Sequence, residues 1–140
     1  MTTIANDGTT ISADGRITSG DQIRTDKNEK IFKIGKVVVA CAGTIIDSDA
    51  LIDIAFNGAD IPERSLEANI MTIEDGVTFI HSCVNGQYTC WETETPVSMG
   101  SGEMYALSAM DLGKTSKEAV KYAMTRDIYS GGKIKTIKYK

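Results

Sequence analysis

Short runs of β-branched residues, broken by turn sequences, dominate the first forty positions of the chain. Thr2–Asn6 and Thr9–Ala13 are separated by Asp7-Gly8, and a two-residue turn of this composition typically joins the strands of a hairpin. Lys30–Ile34 and Lys36–Ala40 form a second pair of strand-like runs. We therefore predict that the chain opens with two pairs of strands.

Helical spacing replaces this pattern after Gly43-Thr44. The apolar residues that follow recur at intervals typical of a helix face: Ile46, Leu51, Ile54 and Ala55. Asp47 or Ser48 is available as the N-cap, and Asn57-Gly58 ends the pattern. Because Pro62 prevents a simple continuation, we predict one short helix.

A three-stranded meander is predicted next. Its strands are Asn69–Glu74, Val77–Cys83 and Tyr88–Glu92. Asp75-Gly76 and Asn85-Gly86 join them, and both dipeptides favour two-residue hairpin turns. In the register that Asn85-Gly86 sets, Cys83 and Cys90 are not opposed, so no disulfide is predicted between them.

Two helices and a strand complete the predicted order of elements. Helical spacing returns from Gly102, and Thr115 with Glu118 forms a capping box that starts a helix through about Met124. Lys133–Tyr139 is predicted as the last strand. The order predicts a single α+β domain, residues 1–140, in which mainly antiparallel sheets pack on each other with helices outside.

Composition and charge narrow the classes of function. The 140 residues carry a formal charge of −4 and the pI is about 5.0, whereas binding to nucleic acid requires clustered Lys and Arg. No run approaches the roughly 18 apolar residues that a membrane span needs. We therefore expect no nucleic-acid partner, no membrane insertion, and a cytoplasmic protein whose three cysteines are reduced.

Common metal and phosphate motifs are missing from the sequence. The chain has one histidine, His81, and no Cys-x-x-Cys pair, so no metal site is predicted. Met99–Glu103 is rich in glycine but lacks the Gly-Lys-Thr/Ser ending of a P-loop. We expect no cofactor and interpret His81 as a strand residue.

A set of short motifs remains, and their order along the chain is informative. They are Thr2-Thr3-Ile4, Ala13-Asp14-Gly15, Lys30-Ile31, Ala42-Gly43-Thr44, Met99-Gly-Ser-Gly102, and Arg126-Asp127 before Ser130-Gly-Gly132. In this order they resemble the motifs of proteasome β subunits and HslV, from Thr2 to about Ile137. The most specific stretch is residues 123–134. The resemblance implies an N-terminal-nucleophile (Ntn) hydrolase fold, an αββα sandwich.

Threonine at a chain terminus can act as a nucleophile with its own base. A free hydroxyl is weakly nucleophilic, but the α-amino group of the same residue can accept its proton. The ordinary pKa of that amine, about 7.7–8.0, suits proton transfer near neutral pH. The amine exists only when Met1 has been removed, so Met1 removal is part of the hypothesis.

The resemblance implies roles for seven residues. Thr2 is the nucleophile, Lys30 the cation beside its oxygen, and Asp14 the carboxylate that keeps the lysine charged. The backbone N–H of Gly43 faces the developing oxyanion. The residues implied to hold the terminal amine and a water are Ser101, Asp127 and Ser130. From spacing alone, a solvated lysine would be the favoured interpretation of Lys30, since Lys27 and Lys33 share its three-residue spacing; the surrounding motifs reverse that preference.

The resemblance also implies an extended polypeptide substrate, bound as an added strand beside the segments that contain Thr18 and Gly43. By position, Ile17, Cys41 and Ile45 line the pocket for the residue before the cut. We therefore expect an uncharged side chain there.

The helical layer is shorter than in typical relatives, because one helix and Pro62 occupy the region between Leu51 and Ala68. We expect a threonine-type endopeptidase that works in a homo-oligomer, with a ring possible, and an ATP-dependent unfoldase as a possible partner. Two alternatives remain open: a non-catalytic structural subunit of a proteasome-like assembly, and an Ntn amidohydrolase that acts on a small amide.

Overall fold

The computed structural model describes residues 1–140 and contains eleven strands and three helices. The strands are β1 Ile4–Asn6, β2 Thr10–Ala13, β3 Ile17–Ser19, β4 Gln22–Thr25, β5 Ile31–Ile34, β6 Val37–Gly43, β7 Ala68–Glu74, β8 Val77–Val84, β9 Gln87–Thr93, β10 Val97–Met99 and β11 Lys135–Lys138. The helices are α1 Ile45–Asn57, α2 Glu103–Asp111 and α3 Ser116–Met124. None of the three helices has the length and apolar character needed to cross a membrane.

Two antiparallel sheets form the centre of the molecule. One has four strands in the order β10-β1-β2-β11, and the other has five in the order β5-β6-β7-β8-β9. Strands β3 and β4 form a separate hairpin. The predicted α+β class, with mainly antiparallel sheets and helices outside them, is confirmed.

The apolar residues divide into three clusters that hold the layers together. The largest lies between the two sheets and includes Ile4, Ile11, Met71 and Ile73. Because side chains alternate along a strand, Ile70 faces the opposite way and packs with α1. The third cluster joins α2 and α3 to the outer face of the four-stranded sheet. The resulting order is helix, sheet, sheet, helix.

The hairpins of the meander form as predicted. Asp75 and Asn85 have φ angles of 51°, and the glycines that follow them are also in the left-handed region. A two-residue turn of the I′ type needs this conformation at both positions. The register opposes Cys83 to Tyr88 and places Cys90 elsewhere, and all three cysteines are free.

One predicted helix start is wrong. Thr44 caps α1, with its side chain accepting a hydrogen bond from the Asp47 backbone N–H; neither Asp47 nor Ser48 is the cap. The Asp47 carboxylate is instead bound by Arg64, at 2.7 Å, and by the Glu67 backbone N–H. The end of α1 at Gly58 and the capping box of α3 agree with the predictions.

Two short elements were not predicted. No strand was predicted between Ala13 and Lys30, but this segment contains the hairpin of β3 and β4. Strand β10 pairs with β1 and aligns Met99 with Ile4. This pairing brings the residues after β10 next to the start of the chain.

Candidate active site

A cleft of about 660 Å³ opens where β6 ends, β5 begins and the chain starts. This volume is within the range of small-molecule and peptide sites. Among the lining residues are three of the predicted catalytic residues and all four predicted substrate-binding residues: Thr2, Lys30, Gly43, Ile17, Thr18, Cys41 and Ile45. Elements distant in sequence therefore bring these residues to one surface.

A buried ion pair lies at the base of the cleft. The Lys30 ammonium is 2.9 Å from Asp14 Oδ1, and the two side chains are 4% and 0% exposed. Asp14 also accepts hydrogen bonds from the backbone N–H groups of Thr3, Arg16 and Gly131. These three donors fix the carboxylate, which in turn positions the lysine. Burial lowers the pKa of Lys30, and the charge of Asp14 opposes that effect.

Met1 occupies the cleft in the full chain. Its carbonyl oxygen accepts hydrogen bonds from Thr2 Oγ1 at 2.6 Å and from Lys30 Nζ at 3.4 Å. Its sulfur lies 3.6 Å from Thr18 Oγ1. Burial lowers the pKa of the Met1 amine. The Met1 carbonyl thus identifies a position where one oxygen contacts both the threonine hydroxyl and the lysine ammonium.

Asp127 links two serines to the Thr2 backbone nitrogen. Its Oδ2 accepts hydrogen bonds from Ser101 Oγ and Ser130 Oγ, each at 2.6 Å. The Thr2 N–H donates to Ser101 Oγ at 3.1 Å. Hydrogen bonds therefore connect the three residues that the resemblance implied to lie near the terminal amine. With Met1 attached, however, that nitrogen is an amide and cannot accept a proton.

Close backbone packing explains two glycines at the site. Gly43 has a φ angle of 119°, and a Cβ there would collide with the Glu67 carbonyl oxygen. Gly100 has a φ angle of 98°, and a Cβ there would collide with the Thr2 carbonyl oxygen. Both positions lie in the region of φ that favours glycine. Gly43 leaves its backbone open to the cleft.

Sequence reasoning missed two residues that support the site. The buried Thr3 hydroxyl lies 2.7 Å from Ser130 Oγ. Arg16 forms an ion pair with Asp26 at 2.9 Å and donates to the Ile128 carbonyl. The position of Thr3, directly after the proposed nucleophile, was the signal that could have identified it. The pairing of Arg16 depends on a hairpin that was not predicted, so the sequence pattern contained no signal for it.

His81 lies away from the cleft. It is buried in β8, as the interpretation as a strand residue requires, and contacts Thr72 and Tyr88. Nowhere do three His, Cys, Asp or Glu side chains approach each other closely enough to ligate a metal ion.

The sandwich of two sheets between helices is an Ntn-hydrolase-like fold, and Thr2 lies two residues before its first strand. Residues 2–63 match the family model for the proteasome subunit. The fold is similar to two solved structures described as Thiobacillus denitrificans BPH, with epoxomicin and without it. The family match covers the first 62 of the residues after Met1, and the fold of the whole chain is similar to the proteasome-like fold of these structures.

The similarity to BPH extends along nearly the whole chain. The TM-scores are 0.72 for the epoxomicin complex and 0.71 for the other structure, at 18% and 17% sequence identity. Each alignment covers 97% of this chain, and 96% and 95% of the respective BPH chain. The two proteins therefore have nearly the same extent. Among curated proteins, no match was found.

Proposed function

We propose that this protein is an N-terminal-threonine endopeptidase that cleaves peptide bonds in unfolded polypeptides after Met1 has been removed. The observation that carries the proposal is the convergence of Thr2 Oγ1 and Lys30 Nζ on one carbonyl oxygen. A substrate carbonyl near the place of the Met1 carbonyl is within reach of both groups. The buried carboxylate of Asp14 keeps the lysine in position.

The reaction begins with the free amine of Thr2. The amine takes the proton of Thr2 Oγ1, and the oxygen attacks the substrate carbonyl carbon. The Gly43 backbone N–H is proposed to stabilise the oxyanion that forms. The carbon–nitrogen bond then breaks, the leaving amine takes the proton from the Thr2 ammonium, and an ester remains on Thr2. Water hydrolyses the ester with the amine again as base, which restores the enzyme.

Charged groups around Thr2 have separate roles in this proposal. The Lys30 ammonium favours negative charge on the threonine oxygen, because attraction between opposite charges is strong in a partly dry site. Asp127 and its two serines orient the terminal amine. In the full chain Ser101 already receives a hydrogen bond from the Thr2 nitrogen. The same serine can receive one from the amine.

A probe that needs both nucleophilic groups of Thr2 tests the mechanism. Epoxomicin, which is bound in one of the two BPH structures, is a peptide epoxyketone that can bond to an amine and a neighbouring hydroxyl. We expect intact-mass measurement to show loss of one methionine and one epoxomicin adduct per chain. Thr2→Ala should remove the adduct and peptide cleavage together. Thr9→Ala, which changes an exposed threonine, should retain both.

Each failure of this experiment has a distinct meaning. Peptide cleavage that persists in Thr2→Ala, or in protein whose every chain retains Met1, contradicts the proposed nucleophile. Folded protein without Met1 that neither binds epoxomicin nor cleaves peptides supports the structural-subunit alternative. Turnover of small amides without cleavage of peptides supports the amidohydrolase alternative.

The proposed setting is a cytoplasmic homo-oligomer, with a ring as one possible form and an ATP-dependent unfoldase as a possible partner. An open cleft would need enclosure to spare folded proteins. Several large apolar side chains on and near α2 and α3 are exposed, including Met104 at 70% and Leu112 at 85%, and such exposure is a feature of association surfaces.

Light scattering tests the proposed assembly. A homo-oligomer should give a mass several times 15.1 kDa. Met104→Glu with Leu112→Glu should lower that mass, whereas Ile61→Glu, at an exposed site outside α2 and α3, should not. A monomer at all micromolar concentrations would contradict a self-compartmentalised peptidase.

A further inference from the structure

Strand β9 forms one edge of the five-stranded sheet and pairs only with β8. Most of its residues are exposed to water, including Trp91, whose exposed fraction is 47%. An open strand edge presents N–H and C=O groups that can pair with a strand of another molecule. The edge of β9 is therefore a candidate contact surface.

The register of the hairpin determines which backbone groups of β9 are free. Val84 and Gln87 lie opposite each other and close the two-residue turn, and the closing pair of such a hairpin exchanges both backbone hydrogen bonds. Hydrogen-bonded pairs alternate with the others along an antiparallel ladder. Tyr88, Cys90 and Glu92 therefore direct their N–H and C=O groups away from β8. No backbone hydrogen bond outside the helices and sheets uses these groups.

The other edge strands of the two sheets carry features that discourage pairing. Lysine on an edge strand, proline and short length all have this effect. Strand β5 contains Lys33, and β11 contains Lys135 and Lys138. Strand β10 has 3 residues and directly follows Pro96. By contrast, β9 has 7 residues, no lysine, arginine or proline, and no bulge in its pairing with β8.

The sequence of β9 is complementary to an antiparallel copy of itself. With the two-fold axis at Cys90, the free backbone groups of Tyr88 meet those of Glu92 in the second copy, and Cys90 meets Cys90. On the other face of the strand, Thr89 lies opposite Trp91, and a β-branched residue opposite an aromatic one is a favourable cross-strand pair. An axis at Glu92 would instead oppose two carboxylates, which is destabilising.

We propose that two copies of this chain associate through their β9 edges, as an antiparallel pair centred on Cys90 that joins their two five-stranded sheets into one. The contact is isologous, because each copy contributes the same surface. It is separate from the contact proposed for α2 and α3, and it does not depend on peptidase activity.

A short thiol cross-linker tests the register. The two Cys90 Cα atoms should lie about 5.5 Å apart, the spacing of a hydrogen-bonded antiparallel pair, and Cys90 is exposed. Bismaleimidoethane at micromolar protein concentration should therefore give a covalent dimer in which peptide mass spectrometry finds Cys90 joined to Cys90.

The matched control moves the thiol to another exposed position of the same strand. In the double variant Cys90→Ser with Gln87→Cys, the two thiols would be separated by about 20 Å along the strands. This variant should form no covalent dimer. Gln87 is exposed, as Cys90 is, so random collisions would join the two kinds of thiol equally well.

Charges placed at the axis test self-pairing directly. Cys90→Lys opposes two ammonium groups and Cys90→Glu opposes two carboxylates, so each variant alone should weaken the dimer by at least roughly tenfold. An equimolar mixture of the two should associate again, because the opposed charges then attract. Analytical ultracentrifugation makes the comparison in a chain that also carries Met104→Glu and Leu112→Glu, which removes the contact proposed for α2 and α3.

Tryptophan fluorescence gives a second measurement. The chain has one tryptophan, and it lies on β9. In the chain that carries Met104→Glu and Leu112→Glu, dilution should expose Trp91 and move its emission to longer wavelength. The same chain with Cys90→Lys should show the longer wavelength at every concentration.

Three results would overturn the proposal. The first is a lack of Cys90 cross-links, or equal cross-linking of Gln87→Cys with Cys90→Ser. The second is a mixture of the two charged variants that remains as dissociated as each variant alone. The third is loss of the Cys90 cross-link in Met104→Glu with Leu112→Glu, which would attribute the proximity to α2 and α3. A protein that forms the β9 dimer but cleaves no peptide supports this proposal and contradicts only the proposed function.

Discussion

Two groups of buried polar side chains differ in how they are stabilised. The cleft cluster, Asp14 with Lys30, is an ion pair. The sheet-face cluster, on the side of the five-stranded sheet that faces α1, joins His81 to Thr72 at 2.8 Å and to Tyr88 at 2.6 Å. Every fully buried side-chain nitrogen and oxygen has a hydrogen-bond partner. Only the cleft cluster, however, keeps opposite charges away from water.

This difference indicates what each cluster contributes. Buried ion pairs are often no more stabilising than apolar residues of the same volume, so stability alone does not explain Lys30. Its ammonium lies at the cleft and donates to the Met1 carbonyl oxygen that also accepts from the Thr2 hydroxyl, and a positive charge there suits the proposed chemistry. His81 is enclosed by neutral hydroxyl groups, which satisfy its nitrogens without requiring a charge. The first cluster should govern activity, and the second should govern stability.

Loss of Lys30 is the largest effect that we predict. Lys30→Ala should reduce peptide turnover by a factor on the order of 10² or more, as removal of a preorganised electrostatic group does elsewhere. Lys33→Ala changes an exposed lysine of the adjacent strand and should retain nearly full turnover. Steady-state kinetics on both variants, with circular dichroism to check folding, makes the comparison. Equal losses in the two variants would contradict the assignment of the catalytic lysine.

Breaking the ion pair from its other side should cost stability as well as activity. Asp14→Ala leaves the Lys30 ammonium buried without its partner and removes the acceptor for the Thr3 and Gly131 backbone N–H groups. We expect a loss of about 3–5 kcal/mol in the free energy of unfolding. Lys30→Met should cost less, because the Asp14 carboxylate keeps its backbone donors. Urea unfolding that ranks the two variants in the opposite order would refute this explanation.

The parts of the fold with strong local signals could be predicted from sequence. The Asp75-Gly76 and Asn85-Gly86 turns determine the meander through backbone conformation alone, and Thr115 with Glu118 starts α3 through hydrogen bonds three residues apart. Strand β10 has only three residues and depends on its pairing with β1. Long-range pairing of this kind leaves no periodic pattern in so short a segment.

The candidate site shows the same limit. The motifs located Lys30 and Asp14, and the structure brings these residues together in one ion pair. The N-cap of α1 was assigned to Asp47 or Ser48. The Asp47 carboxylate instead binds Arg64, seventeen residues further along the chain. Local sequence could not indicate a pairing over that separation.

A smaller effect is expected in the sheet-face cluster. Thr72→Val preserves the shape of a buried residue but removes the hydroxyl that contacts His81 Nε2. An unsatisfied buried group typically costs about 1–3 kcal/mol, so the urea midpoint should fall while turnover per folded molecule stays unchanged. Thr89→Val, at an exposed position of β9, serves as control. A selective loss of turnover in Thr72→Val would link this cluster to the active site.

The smallest predicted effect is a dependence of stability on pH. Burial lowers the pKa of His81 below its ordinary value of 6.5, so the folded protein holds this imidazole neutral. As the pH falls through about 6.5, the unfolded chain binds a proton that the folded chain does not, and stability decreases. The decrease in stability stops below the pKa that His81 has in the folded protein. Above about pH 7.5, His81 makes no contribution to the pH dependence of stability.

The His81→Gln variant separates the pH dependence of stability that His81 causes from that of the other titrating groups. The chain has one histidine, but burial also lowers the pKa of the terminal amine, so the wild-type profile alone does not assign the effect. The carboxyl groups of Asp7 and Glu118 have pKa values lowered by hydrogen bonds, and stability from those groups is lost only as the pH falls below about 4. Urea midpoints between about pH 7.5 and pH 5 should therefore fall in the wild type and change less in His81→Gln. The same slope in both proteins would show that His81 is not held neutral, and the distinction between a charged cleft cluster and a neutral sheet-face cluster would fail.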